Sequence, residues 1–256
     1  MKPRIDSAVQ FVTKVVSQWE SVRTVTVIDN ETEIDDPYFY LSFDVFIDGE
    51  VPDEAAREQA FSGCAAFEAT KLGTKDRFLF DELPVRLEYK QQARMDALLQ
   101  SGADASFVAS RDTGTYLFYR LLNGRILLDR TGWMDTVRPK ITNLPEAFWI
   151  SLREGYVSRT EHDLSDLSAA QIRDDRLFFF LALSALLKDA MSCVYAENRA
   201  FEPPPRFLWA TLKELPSLPE QFVTRFTYLY TARDSQDMAR TREIAELVVR
   251  SLMYAS

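Results

Sequence analysis

The side chains with the clearest chemical potential in this chain are acids set in the middle of strand-like stretches. In YLSFDVFIDGEVP, residues 40–52, Tyr40, Ser42, Asp44, Phe46 and Asp48 fall on one face of an extended segment, and Leu41, Phe43, Val45 and Ile47 on the other. In LPVRLEYK, Val85, Leu87 and Tyr89 alternate in the same way with Arg86, Glu88 and Lys90. If the two strands are neighbours in one sheet, Asp44 and Glu88 project from a common polar face. Paired carboxylates there are costly unless a cation or hydrogen bonds compensate them. Mg²⁺ takes oxygen ligands and keeps waters for a phosphate-bearing substrate, so Asp44 and Glu88 are the candidate ligands, with Asp48 as a third oxygen donor. The other arrangement pairs the acids with Arg86, Lys90 or another cation on a solvated sheet face.

Few other chemistries fit. His162 is the only histidine and sits in the polar stretch SRTEHDLSD, which excludes a two-histidine metal site. Cys64 and Cys193 are far apart, with no CxxC, so they read as packed free thiols rather than zinc ligands. Neither GxxxxGK[ST] nor GxGxxG occurs. With eight glycines in 256 residues, phosphate would have to be held by side chains and helix N-termini. Arg173, Arg176, Lys188 and Arg206 are the candidate cations. The run Phe178–Phe180, with Trp149, Tyr156 and Trp209, reads as core packing or as a base-stacking pocket.

These residues must be positioned by an α+β chain. Residues 5–19 have helical spacing, SVRTVTVID reads as a strand, and the short link to 40–47 makes the two strands antiparallel neighbours. Asp53 is an N-cap for a helix over EAAREQAFSGCAAF. Two extended segments follow in DRFLFDELPVRLEYK, then a helix over QQARMDALLQS, a helix over TGTYLFYRLLN ended by Gly124, and the strand RILLD. After Asn143 strand signals vanish. LPEAFWISLREGY, the long apolar stretch from Leu167 to Asn198, PPPRFLWATLKEL and two further segments read as helices. The chain divides into a mixed part, 1–143, and an all-helical bundle, 144–256, whose core would include Leu181, Leu183, Leu187 and Val194.

The formal net charge of −9 argues against a nucleic-acid scaffold and against an anionic membrane surface, both of which call for an excess of Lys and Arg. The N-terminal stretch is broken by Asp6, Gln10 and Lys14, unlike a signal peptide, and no run of 18 apolar residues occurs. The expectation is a cytoplasmic protein with no membrane partner, acting on a small molecule or nucleotide.

The order of elements, with SFD in one strand, VRLEY in a later one and GRILLDRTG as the last strand before a helical half, resembles the nucleotidyltransferase superfamily. IRDDRLFFFLALSALLKDA and YAENRAFEPPPRFLWATLKELPSLPEQF resemble the helical domain of members with a kanamycin-nucleotidyltransferase-like layout. The resemblance implies an N-terminal nucleotidyltransferase-like mixed sheet with flanking helices, and Mg²⁺-dependent transfer of a nucleotidyl group from a nucleoside triphosphate to a small acceptor. It implies Asp44 and Glu88 as catalytic metal ligands, with Ser42 beside them; Ser42, and Arg173 and Arg206 among the candidate cations, are the expected nucleotide contacts. Two departures stand out. The superfamily's Gly-Ser element after the first strand is missing, since no glycine precedes Gly49. Ser42 occupies the place of the first acid of the pair, which Asp29, Asp35, Asp36 or Asp48 would have to supply. The alternative implied is a catalytically degenerate relative that keeps the fold as a binding or interaction module.

Overall fold

The computed structural model describes residues 2–28, 39–70, 74–100, 105, 108, 114–231 and 237–254. The chain forms two compact units, Met1–Ser101 with Arg120–Asn143, and Gly102–Tyr119 with Leu144–Ser256. Residues 102–119, which the sequence division at 143 puts in the first part, group with the helical residues. The reason is local. Thr115 bonds to Glu202, and Phe118 packs against Phe148 and Phe201.

The first unit contains α1 (Lys2–Val16), β1 (Val22–Ile28), β2 (Leu41–Ile47), α2 (Glu54–Ala60), β3 (Ala65–Ala69), β4 (Lys75–Phe80), β5 (Leu83–Gln91) and α3 (Gln92–Gln100). After the end of α4 (Tyr116–Asn123) come β6 (Arg125–Asp129) and α5 (Trp133–Thr142). The strands form one sheet in the order β3-β4-β5-β2-β1-β6. β1 and β2 are antiparallel neighbours, and β2 and β5 are the parallel pair.

One sheet face packs on α1, which buries Ile5, Val9, Val12 and Val16 at helical spacing. Phe43, Val45, Val85 and Leu87 join the same core. The other face is covered at β2, where the Trp133 ring of α5 lies 4.8 Å from that of Phe46. All seven residues of β2 are therefore buried. The alternation of Ser42, Asp44 and Phe46 with apolar residues suggested a half-solvated strand; instead, polar residues are buried on its second face.

The helix expected over residues 54–67 is shorter. Asp53 caps it, its carboxylate accepting from the Ala56 amide, but α2 ends at Ala60. Residues 65–69 join the sheet edge as β3, opposite β4.

The second unit has only helices among its described residues: the first turn of α4, α6 (Glu146–Ile172), α7 (Arg176–Glu197), α8 (Leu208–Leu212), α9 (Phe222–Thr231) and α10 (Met238–Met253). The long apolar stretch expected as a single helix is broken at 173–175. Asp174 has φ +52°, and the Asp175 carboxylate accepts from the Phe178 amide to cap α7. The helix expected from Pro203 contracts to α8.

α7 is long and apolar enough, by length and composition, to cross a membrane, although the sequence holds no unbroken run of 18 apolar residues. Phe179, Ala182, Leu186, Ala190 and Val194 are buried against the rest of the unit. Leu183 and Leu187 are half-buried, and Leu181, expected in the core, is 56% exposed. From Leu177 to Leu187 the helix is apolar almost all round, so its pattern does not say which face packs.

Nearby, the buried Glu202 carboxylate accepts from the amide and hydroxyl of Thr115 and from the Ser192 hydroxyl. Gly114 has φ +48°, and a Cβ there would stand 2.0 Å from a Glu202 oxygen, so only glycine fits.

Leu181→Ala is expected to change unfolding free energy by no more than about 0.5 kcal/mol, as at a surface position. Leu186→Ala, which opens a cavity, should cost about 2–5 kcal/mol. Chemical denaturation of the two variants checks the assignment, and equal losses would contradict it.

Candidate functional site

Asp44 and Glu88 come together as the sequence suggests. They are register partners on the parallel strands β2 and β5, as are Ser42 and Arg86. Their surroundings differ from a solvated sheet face. The Asp44 side chain is 1% exposed, and both of its oxygens are taken. Lys90 Nζ lies 2.6 Å from Oδ1, and Arg120 Nε lies 2.7 Å from Oδ2. Arg120 also donates to the Ser42 hydroxyl at 2.9 Å. Glu88 is half-buried. Its carboxylate lies 2.9 Å from Lys75 Nζ and 3.5 Å from Lys90 Nζ. The Lys90 ammonium thus sits between the two carboxylates.

Each cation is held by the local fold. Lys90 lies two residues beyond Glu88 on β5, on the same strand face. Arg120 sits in α4, which ends against β1: a Cβ at Gly124 would lie 3.1 Å from the Thr26 side chain, and Thr26 is the register partner of Asp44. Arg138 of α5 donates to the carbonyls of Leu121 and Gly124, satisfying the helix end. Asp129 anchors α5 in turn, accepting from the Trp133 and Met134 amides and from the Thr24 hydroxyl.

Burial by itself raises the Asp44 carboxyl. The Arg120 guanidinium and the Lys90 ammonium outweigh it and bring the value from an ordinary 3.8 to about 2. Glu88 is also lowered: burial is opposed by Lys90 and Lys75 and assisted by the repulsion from Asp44.

This donor set does not fit Mg²⁺. Both oxygens of the buried acid are engaged by side-chain cations, the Lys90 ammonium takes the bridging place, and Ser42 offers a hydroxyl already bonded to Arg120. Among the described residues no three His, Cys, Asp or Glu side chains stand together as a metal site.

Asp48 follows the end of β2, exposed, 3.3 Å from Arg23 of β1. In the helical unit, Arg173 is exposed at the C-terminus of α6, and Arg206 is exposed just before α8 with its guanidinium over the Phe207 ring. Asp29, Asp35 and Asp36 lie outside the described residues. Arg86 is not a partner of Asp44; its guanidinium lies 3.7 Å from the centroid of the Tyr40 ring.

Arg120 was not singled out from the sequence. Its signal was a lone charge in the apolar helix YLFYRLLN, matching a lone acid in an apolar strand. Asp76 was also missed: it is fully buried on the opposite sheet face, held by Arg57 and the Tyr89 hydroxyl.

Residues 113–209 match the family model DUF4037, a domain of unknown function. No curated protein matches the sequence. Among solved structures, the chain is similar to a nucleotidyltransferase-like protein from Exiguobacterium sibiricum, with a TM-score of 0.53 and 10% identity, covering 96% of this chain and 74% of that one. The fold is nucleotidyltransferase-like.

Asp44→Asn removes the buried anion that lies between Arg120 and the partly buried Lys90 and should cost about 3–5 kcal/mol of stability, read by denaturant unfolding. The pH dependence follows from the sign of the shift. A carboxyl lowered in the folded state contributes stability above its ordinary value of 3.8 and loses it as pH falls towards about 2. The contribution is about 2 kcal/mol. The wild type should therefore lose stability across that window more steeply than Asp44→Asn, and parallel acid-unfolding profiles would contradict it.

Proposed function

We propose that this chain uses its nucleotidyltransferase-like fold as a binding module for a small molecule or nucleotide, with the strand acids serving structure rather than transfer chemistry. One observation carries this reading: the Asp44 carboxylate is buried with Arg120 on one oxygen and Lys90 on the other. A catalytic metal needs a carboxylate whose oxygens can exchange between water, metal and substrate. Asp44 instead has two fixed, charge-assisted bonds, and releasing either would leave a buried carboxylate short of a cation. The absence of a Gly-Ser element before β2 and the serine at position 42 point the same way.

The second reading is Mg²⁺-dependent transfer of a nucleotidyl group from a nucleoside triphosphate to a small acceptor. It is favoured by the side-by-side register of Asp44 and Glu88, and it requires Lys90 to leave the space between them.

Titration calorimetry with ATP, CTP, GTP and UTP, with and without Mg²⁺, distinguishes the two. The expected outcome is no heat that depends on the metal, and no pyrophosphate release on incubation with any of the four. Mg²⁺-dependent binding that disappears in Glu88→Gln, with a melting curve verifying that the variant is folded, would restore the transferase reading.

A further inference from the structure

The outer part of the sheet face that bears Glu88 remains open. On β4, Lys75, Arg77 and Leu79 are exposed, while the alternate residues Asp76 and Phe78 are buried beneath. On β5, Arg86 is exposed on the same side as Glu88 and Lys90. Four cations therefore line two adjacent strands in a chain whose net charge is −9.

The acids within this group are already committed. Glu88 is shared by Lys75 and Lys90, and Asp44 by Lys90 and Arg120. That leaves Arg77 and Arg86. They are direct register partners across the antiparallel β4–β5 ladder, so two guanidinium groups stem from opposite points on one face. Like charges placed directly opposite are destabilising. Glu68 of β3 is the register partner of Arg77 on its other side, yet among the described residues no carboxylate lies within ion-pair distance of either Arg77 or Arg86. Arg86 is held in place by its stacking on Tyr40, an interaction that uses the flat of the guanidinium and leaves its N–H edge free to donate.

We infer that Arg77 and Arg86, with Lys75 beside them, form a binding site for a phosphate-bearing small anion that requires no metal ion. The inference rests on the binding-module reading and gives that module its ligand class. Each arginine fork can donate paired N–H groups to phosphate oxygens, and an anion held by the two offsets the repulsion of the bare ladder. The two arginines stand outside the Asp44 network, so occupancy leaves that network intact.

The test is titration calorimetry with pyrophosphate and, separately, ATP, at low ionic strength, in EDTA and again with Mg²⁺, with Glu88→Gln included in the second series. It uses the whole chain and the variants Arg77→Gln, Arg86→Gln and, as a control on α1 at the opposite sheet face, Arg4→Gln. The wild type should bind pyrophosphate, with affinity falling as salt is added. Arg77→Gln and Arg86→Gln should each weaken binding about tenfold, and Arg4→Gln should leave it unchanged. Both substituted arginines are exposed, and melting curves verify folding. Without ligand, Arg77→Gln should melt no lower than wild type, because it relieves a like-charge pair.

Binding of ATP but not pyrophosphate, lost in the same two variants, keeps the site and assigns it to nucleotide-borne phosphate. No heat with either ligand, or equal heat in wild type and both variants, overturns the site and leaves the binding-module reading standing. Binding that needs Mg²⁺ and is lost in Glu88→Gln but not in Arg77→Gln overturns both.

Discussion

A carboxylate in the middle of a strand covered on both faces must be neutralised where it stands, and much of the first unit is arranged around that requirement. Water cannot solvate Asp44, so the anion is tolerable only with cations at hydrogen-bonding distance. Lys90 comes from the adjacent parallel strand at small entropic cost, since the strand is fixed by the ladder. Arg120 comes from a helix that has to approach β1 closely, which explains the glycine at 124 and the arginine at 138 that satisfies the helix end. Asp129, bonding to both β1 and the start of α5, holds the next helix so that Trp133 covers Phe46. A change in the charge of one side chain would propagate through this set of contacts.

The same positions illustrate why a fold does not fix a function. Two acids side by side on parallel strands are the geometry from which a metal site can be built. Here a lysine ammonium lies between them. A metal ion exchanges and brings its own waters to a substrate, whereas an ammonium on a strand does neither. A serine at position 42 completes the difference, because its hydroxyl carries no charge and is engaged by the guanidinium that neutralises Asp44. The positive charge of this sheet face that has no carboxylate partner among the described residues lies instead on β4 and β5, at Arg77 and Arg86.

The helical unit solves its own polar problem in a comparable way. Glu202 is buried among Thr115, Ser192 and the backbone at 114–115, in a space that only a glycine at 114 leaves open. Elsewhere it depends on α7, whose apolar surface is larger than the part its neighbours cover. Ile172, Leu177, Phe180 and Leu181 stay exposed at the α6–α7 turn.

The sequence alone determined the elements with strong local signals: the period of α1, the strands around Asp44 and Glu88, the cap at Asp53, the end of α4 before Gly124 and the change to helices after Asn143. It also determined that Asp44 and Glu88 stand on the polar phase of their strands, because alternation is a local property; that they are register partners was decided by β2 and β5 lying side by side. Tertiary structure decided the rest. Whether the polar face of β2 meets water or protein depends on helices far along the chain. Whether Asp44 binds a metal or a side-chain cation depends on Arg120, 76 residues away. β3 was misread because an edge strand of alanines has little β propensity of its own and is drawn into the sheet by β4. Leu181 was misplaced because a helix that is apolar all round has no periodicity to reveal its packed face. Period and capping are written in neighbouring residues; burial and ion pairing arise between residues that only the folded chain brings together.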